Sequence, residues 1–194
     1  MSTRGAITLE DLLDREKIRE NLALYARGVD RQDMQLVTST YWPEAWDAHG
    51  MMECTGHEFC ESLEFIWPTM KMNHTFGQSL IDIHGDFANA ETYVIAFHRI
   101  GEGENTKDVF IGSRFADRLE KRRESWRFIH RSVMYDWYRD FGQSVPWDNS
   151  VFPFAEMPAR SYGATSDDYS GHVLSNAPLE RGQKQRNASW RPGK

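Results

Sequence analysis

The sequence lacks the features that define several large classes of proteins. No apolar run approaches the roughly 20 residues that span a bilayer, and the N-terminus has no apolar segment like that of a secretory signal. The sequence has 23 Lys and Arg residues against 29 Asp and Glu residues. This balance argues against a protein that binds nucleic acid non-specifically, because phosphate binding needs a basic surface. We therefore expect neither a membrane nor a nucleic-acid partner.

Cysteine is also scarce. Cys54 and Cys60 are the only two in 194 residues, too few for a disulfide framework, which predicts a reducing, cytoplasmic setting. They flank His57, but the second ligand pair of a structural zinc site is missing, so no metal is expected. The sequence also has no phosphate-binding loop, dinucleotide fingerprint or nucleophile elbow, and we expect no cofactor.

Aromatic residues are abundant, with 11 Phe, 7 Tyr and 7 Trp, and hydrophobic periodicity orders the chain into helices followed by strands. The first helix buries one face, and the later segments alternate with the period of two that is typical of strands. The predicted elements are a helix that begins at Thr8, a short helix at 33–39 that is stopped before Pro43, a short strand at 51–56, a helix at 57–71, and long strands at 73–83, 91–99, 109–119 and 126–139.

This order predicts an α+β domain over residues 1–142. Its sheet is expected to curl around the first helix and to leave an apolar pocket between sheet and helices. Residues 143–194 are rich in Pro, Gly, Ser and Asn, which predicts an extension with little regular structure. The aromatic residues at 145–160 are expected to cover the pocket mouth or to contact a neighbouring subunit, because exposed aromatic clusters usually mark contacts.

Three ionisable residues fall among apolar neighbours: Asp30 after the first helical face, His74 in the first long strand and Arg131 in the last. Each also has a purely structural explanation. Asp30 could be a turn residue, His74 a core histidine, and Arg131 one partner of a buried ion pair. Together they suggest chemistry, since a carboxylate that orients an imidazole leaves a general base active near neutral pH. Arg131 or Tyr25 could assist the developing charge, although helix-to-sheet packing also explains Tyr25.

Five segments of the sequence form a recognisable set: 14–20 (DREKIRE), 25–30 (YARGVD), 72–75 (MNHT), 115–120 (FADRLE) and 126–131 (WRFIHR). In their order and spacing they resemble the SnoaL-like family of the NTF2-like superfamily. The resemblance spans about residues 9–140 and implies a cone-shaped α+β barrel, in which a curved antiparallel sheet and N-terminal helices enclose one deep pocket. Within the family the chain is similar to bile-acid 7α-dehydratase, scytalone dehydratase, hexachlorocyclohexane dehydrochlorinase and diarylpropane lyase.

The resemblance also implies roles for particular residues. Asp30 and His74 match the catalytic dyad of the dehydratase and dehydrochlorinase branches. Tyr25 matches a tyrosine of the bile-acid enzyme, and Arg131 matches an arginine of the dehydrochlorinase. Tyr25 stands where the dehydrochlorinase has a lysine, which argues against chloride elimination. Aromatic residues are expected to bind the substrate, namely Trp42, Trp67, Phe76, Tyr135 and Trp137.

The sequence therefore predicts a cofactor-independent lyase that takes a proton from a hydrophobic cyclic or aromatic substrate, with water as the leaving group. One alternative is a carbon–carbon lyase of deformylating or retro-aldol type, acting on a lignin-derived diaryl compound in aromatic catabolism. Another is an isomerase, which would return the proton to the substrate. A non-catalytic binding or assembly module would need neither Asp30 nor His74. A homodimer or homotrimer is expected, formed through the outer face of the sheet.

Overall fold

The computed structural model describes residues 7–145, 165 and 169–175. Residues 146–160, most of the segment predicted to cover the pocket, lie outside this range. No described helix is long and apolar enough to cross a membrane. The helices are α1 (Leu9–Asp30), α2 (Met34–Ser39), α3 (Gly56–Ile66) and α4 (Tyr169–Leu174), and the strands are β1 (Tyr41–Ala48), β2 (Glu53–Thr55), β3 (Met70–His84), β4 (Phe87–Ile100), β5 (Lys107–Arg122) and β6 (Ser125–Gln143).

Local capping explains where the helices begin and end. Thr8 and Asp11 form a reciprocal capping box at the start of α1, which satisfies two backbone N–H groups that a helix start leaves unpaired. The third helix was predicted to reach residue 71 but ends at Ile66, because Pro68 cannot donate a helical hydrogen bond. Helix α4 lies against the last turns of α1, where Arg27 Nη1 donates to Ser170 Oγ at 3.0 Å.

The strands form one curved, unclosed sheet in the order β2-β1-β6-β5-β4-β3. Strands β3 to β6 are the four long strands of the prediction and pair antiparallel. Strand β1 was not predicted, since Pro43 argued against regular structure. It pairs parallel to β6 with an irregular register between Tyr41 and Trp46, and Pro43 is accommodated in this irregular stretch. The sheet is therefore mixed and not wholly antiparallel.

Helix α1 packs across the concave face of the sheet. Its buried stripe, which includes Ile18, Leu22 and Tyr25, is at most 2 % exposed and meets Phe115 and Phe128 of the sheet in one core. Cross-strand partners face the same side of a sheet, so the register also identifies the polar residues that share this face. Ser113 and Asp117 of β5 and Arg131 of β6 are among the buried polar residues.

An irregularity near the middle of β6 reverses its alternation. Ser113 pairs with Tyr135 while Gly112 pairs with Trp137, so Asp136 is an extra residue. A bulge of this kind moves all later side chains to the opposite face. The Trp137 indole therefore lies over Gly112, on the convex face. The prediction that Trp137 lines the pocket is wrong for this reason.

Gly28 marks the closest approach of α1 and α2. A Cβ at this position would lie 2.6 Å from the backbone nitrogen of Val37 and 2.8 Å from its Cα. In an exposed helix, Gly→Ala would be stabilising by up to about 1 kcal/mol. Here the neighbour is backbone, which cannot turn aside as a side chain can, so overpacking of this kind costs about 1–3 kcal/mol.

We expect Gly28→Ala to lower the free energy of unfolding, the opposite sign to the helix-propensity effect. The measurement is urea denaturation followed by circular dichroism, with Gln35→Ala on α2 as a control away from this contact. An unfolding midpoint at or above that of the wild type would contradict the close approach of the two helices.

Candidate active site

Asp30 and His74 form a hydrogen-bonded pair at the end of α1. His74 Nδ1 lies 2.6 Å from Asp30 Oδ1, and the backbone N–H of His74 donates to Asp30 Oδ2 at 2.8 Å. Both side chains are only 8 % exposed. The carboxylate thus holds His74 at two points, and the structure brings together the two residues that the sequence analysis paired.

Two features of the fold place this pair. Strand β3 is an edge of the sheet, where backbone N–H groups on the open side have no strand partner, and Asp30 accepts the one at His74. The end of α1 is held in turn by the indole N–H of Trp67, which donates to the carbonyl of Val29 at 3.0 Å. Trp67, predicted to bind substrate, is therefore a buried core residue that fixes the helix end.

The hydrogen bond between Asp30 and His74 determines which imidazole nitrogen carries the proton. An ionised carboxylate only accepts hydrogen bonds, so the geometry assigns the proton of neutral His74 to Nδ1. Nε2 then carries the lone pair and is the atom that can take a proton from a bound molecule. Asp30 would also stabilise the imidazolium that results.

His98 is a further ionisable residue here that the sequence analysis did not select. The β3–β4 register pairs it with Met72, two residues before His74, and the two imidazole centroids are 6.0 Å apart. Burial, and then the charge of His74, lower the pKa of His98 from 6.5 to about 4. Its Nε2 is buried with no hydrogen-bond partner in the described part of the chain. Pairing the two predicted strands as a hairpin could have found it.

Arg131 and Tyr25 lie together in a separate buried cluster. Arg131 is fully buried and makes two hydrogen bonds to Asp117, at 2.7 and 2.8 Å. Its guanidinium lies 4.1 Å from the ring centroid of Tyr25 and 4.0 Å from that of Phe128. Burial raises the pKa of Tyr25, an effect that Arg131 opposes. In the described structure, neither Arg131 nor Tyr25 shares a hydrogen bond or ring contact with Asp30 or His74, so their assisting roles remain predictions.

The remaining predicted substrate-binding residues divide between the two faces of the sheet. Phe76 follows His74 by two residues in β3, and its ring is 5.7 Å from that of Phe115 in an edge-to-face arrangement. Tyr135 pairs with Ser113 and shares this concave face. Trp42 instead packs with two cations, since the guanidinium carbons of Arg122 and Arg127 lie 4.7 and 4.6 Å from its ring centroid. The prediction that Trp42 binds substrate is corrected for this reason.

A second carboxylate–imidazole pair, Asp47 with His49, also lies on the concave face and was likewise not selected. Asp47 pairs with Arg131 across β1 and β6, and His49 follows it by two residues. Because β1 was not predicted, no strand alternation was available to show that these two residues share a face. Among the described residues, no group of three or more His, Cys, Asp or Glu side chains is arranged to hold a metal ion.

We expect His98 to make the fold sensitive to acid. Between pH 6.5 and about 4, His98 takes up a proton in the unfolded chain but not in the folded one, so stability falls as pH falls through this window. His98→Gln should therefore show a smaller drop in melting temperature between pH 7 and pH 4.5 than the wild type. The control is His84→Gln, at an exposed site on β3. Equal drops for the wild type and His98→Gln would show that His98 is not held neutral.

Superposition on solved structures shows which fold the chain adopts. Hexachlorocyclohexane dehydrochlorinase LinA type 2 superposes with a TM-score of 0.65 at 18 % identity, over 72 % of this chain and 97 % of that one. LinA type 3 from Novosphingobium barchaimii gives 0.63 at 19 %, over 71 % and 98 %. A candidate scytalone dehydratase from Novosphingobium aromaticivorans gives 0.63 at 18 %, over 74 % and 99 %. These likenesses show the NTF2-like cone fold.

A search of curated proteins found no match. The comparison with protein families, in contrast, matches most of the described domain. Residues 10–132 match the SnoaL-like domain, a range that runs from the first turn of α1 to the middle of β6 and includes both Asp30 and His74. The chain belongs to the SnoaL-like family.

Proposed function

We propose that the protein is a cofactor-independent lyase that performs an elimination of dehydration type on a small hydrophobic cyclic or aromatic substrate. The observation that carries this proposal is the two-point contact of Asp30 with His74. A buried carboxylate that binds both the ring and the backbone of one histidine fixes its tautomer and position, as a general base requires. A binding module would gain little from such a pair.

His74 can carry out both proton transfers of this elimination. His74 Nε2 takes a proton from a carbon of the substrate, and the electron pair of that bond forms a carbon–carbon double bond. The bond from the adjacent carbon to its hydroxyl oxygen breaks, and the imidazolium returns the proton to that oxygen, which leaves as water. Asp30 stabilises the transient imidazolium, while neutral His98 can hydrogen-bond to the leaving oxygen.

The comparisons favour elimination over the alternatives. Most of the structural neighbours whose names state an activity are dehydrochlorinases or a candidate dehydratase, and both kinds of reaction remove a proton and a leaving group from adjacent carbons. One further neighbour is named as a candidate aromatic ring hydroxylase. Carbon–carbon cleavage of a diaryl compound is the second candidate, because the aromatic rings of Phe76 and Phe115 provide apolar contacts beside the base. A role in aromatic catabolism is part of this proposal.

We also propose that the protein is a homodimer or homotrimer that assembles through the convex face of the sheet. Tyr93, Ile95 and Trp137 lie on that face and are 44–53 % exposed. Contiguous exposed apolar residues of this kind usually mark an interface. Both cysteines are free, in keeping with the predicted cytoplasmic location, which remains a prediction.

We expect His74→Ala and Asp30→Asn each to lower kcat by about 10²–10⁴-fold. Binding of the substrate should change far less, because apolar burial dominates it. The assay screens hydroxylated cyclic and diaryl alcohols for the ultraviolet absorbance of a new conjugated double bond. His84→Ala is the matched control, since His84 is exposed and lies 3.2 Å from an aspartate, Asp82. Turnover by His74→Ala at the wild-type rate would refute the mechanism.

We expect light scattering to give a dimeric or trimeric mass for the wild type and a lower mass for Ile95→Glu. The charge would be buried in the proposed interface without a partner, which is costly. Phe65→Glu is the control, because Phe65 is 83 % exposed and belongs to α3 and not to the strands of the convex face. A wild-type monomer would contradict the assembly.

A further inference from the structure

His49 is an ordered imidazole in the concave interior for which the proposed mechanism has no use. It follows β1 and comes two residues after Asp47, which is completely buried. Asp47 Oδ1 lies 3.0 Å from His49 Nδ1, and Asp47 Oδ2 accepts a 2.6 Å hydrogen bond from the hydroxyl of Tyr41. Both carboxylate oxygens are thus engaged.

This network orients one edge of the imidazole and leaves the other edge available. As with His74, the acceptor-only carboxylate assigns the proton of neutral His49 to Nδ1, so Nε2 is a hydrogen-bond acceptor. The Phe59 ring stacks on the imidazole with centroids 4.3 Å apart and planes 18° apart, which fixes the plane of the ring. The His49 side chain is 20 % exposed, so it is accessible to a bound molecule.

The phenol of Tyr135 lies beside Gly50, the residue that follows His49. Gly50 has a positive φ of 75° and abuts the ring of Tyr135, so that a Cβ at this position would lie 2.9 Å from Tyr135 Cε2 and 3.3 Å from its hydroxyl oxygen. The glycine therefore lets Tyr135 close against the segment that carries His49. The segment 49–50 thus carries His49 and contacts the phenol of Tyr135 at this end of the interior.

An aromatic wall joins this end to the Asp30–His74 pair. The Phe115 ring is 6.0 Å from the His49 ring in an edge-to-face arrangement and 5.7 Å from the Phe76 ring. His49 is also close enough for its charge to influence His98, the neighbour of His74. An apolar ring packed on this wall would have an oriented imidazole on either side.

We propose that His49, oriented by Asp47, is a second substrate-recognition residue that accepts a hydrogen bond from a ring hydroxyl of the substrate. This deepens the proposed function, on which it rests, by naming the substrate class: an aromatic compound with a hydroxyl donor on the side opposite to its reacting group. Tyr135 hydrogen-bonds to the same oxygen. A methyl ether at that position is rejected, because Nε2 has no hydrogen to donate to it.

The experiment measures binding without turnover. The probes are 2-naphthol and 2-methoxynaphthalene, of which only the first has a hydroxyl donor in either orientation. We expect the wild type to bind 2-naphthol about three- to tenfold more tightly, the worth of one hydrogen bond. In nitrogen NMR of the histidine rings, 2-naphthol should shift the His49 Nε2 resonance and 2-methoxynaphthalene should not.

Two variants separate recognition from structural support. His49→Asn places an amide N–H at the position of Nδ1 for Asp47 but has nothing at Nε2, and it should lose the preference between the probes. His49→Gln places its amide near the position of Nε2 and should keep much of the preference. An unchanged preference in His49→Asn, a His49 resonance that does not respond, or no binding of 2-naphthol at millimolar concentration would each overturn the proposal. Activity that survives in His74→Ala would refute the lyase mechanism and leave this binding result standing.

Discussion

The buried guanidinium of Arg131 is the constraint on which the rest of the interior depends. A charge removed from water is tolerated only with a close counter-charge and good hydrogen bonds. Asp117 supplies the counter-charge from the next strand and accepts hydrogen bonds from Nε and Nη2, while Nη1 has no hydrogen-bond partner among the described residues. Burial alone would lower the pKa of Arg131, but the carboxylate holds it well above its ordinary value. A slip of one residue between β5 and β6 would separate the pair and turn one charge outward. The ion pair therefore fixes the register of the two strands.

The same cluster couples the sheet to the helix and to β1. The rings of Tyr25 and Phe128 contact Arg131 from α1 and β6, and Asp47 is its cross-strand partner in β1. Burial raises the pKa of Tyr41, and the anion of Asp47 adds to this effect, so the phenol stays protonated and remains a donor to that carboxylate. The cluster thus stabilises the position of α1, whose last residue is Asp30, and of β1, which leads to His49.

Periodicity predicted the long strands and the first helix well, because each buries one regular stripe of side chains. It also selected Asp30 and His74, since an ionisable residue on an apolar face signals a partner, and the distance between them agrees with that reasoning. Its failures have local causes. Because Pro43 argued against a strand, neither β1 nor the pairing of Asp47 with His49 was predicted. The extra residue Asp136 places Trp137 on the other face of the sheet. Such irregularities depend on how two strands pair, and the residue pattern of a single strand does not carry this information.

The bulge at Asp136 has a consequence for how proteins of this kind can diverge. Upstream of it, β6 directs Tyr135 to the interior, and directly downstream it directs Trp137 outward. A substitution alters one of these surfaces at a time. Because Asp136 has no cross-strand partner in β5, the loss of its codon would leave Tyr135 opposite Ser113 and Trp137 opposite Gly112, in a strand of regular alternation. The bulge is therefore a position at which β6 can lose one residue while its inner and outer surfaces keep their side chains.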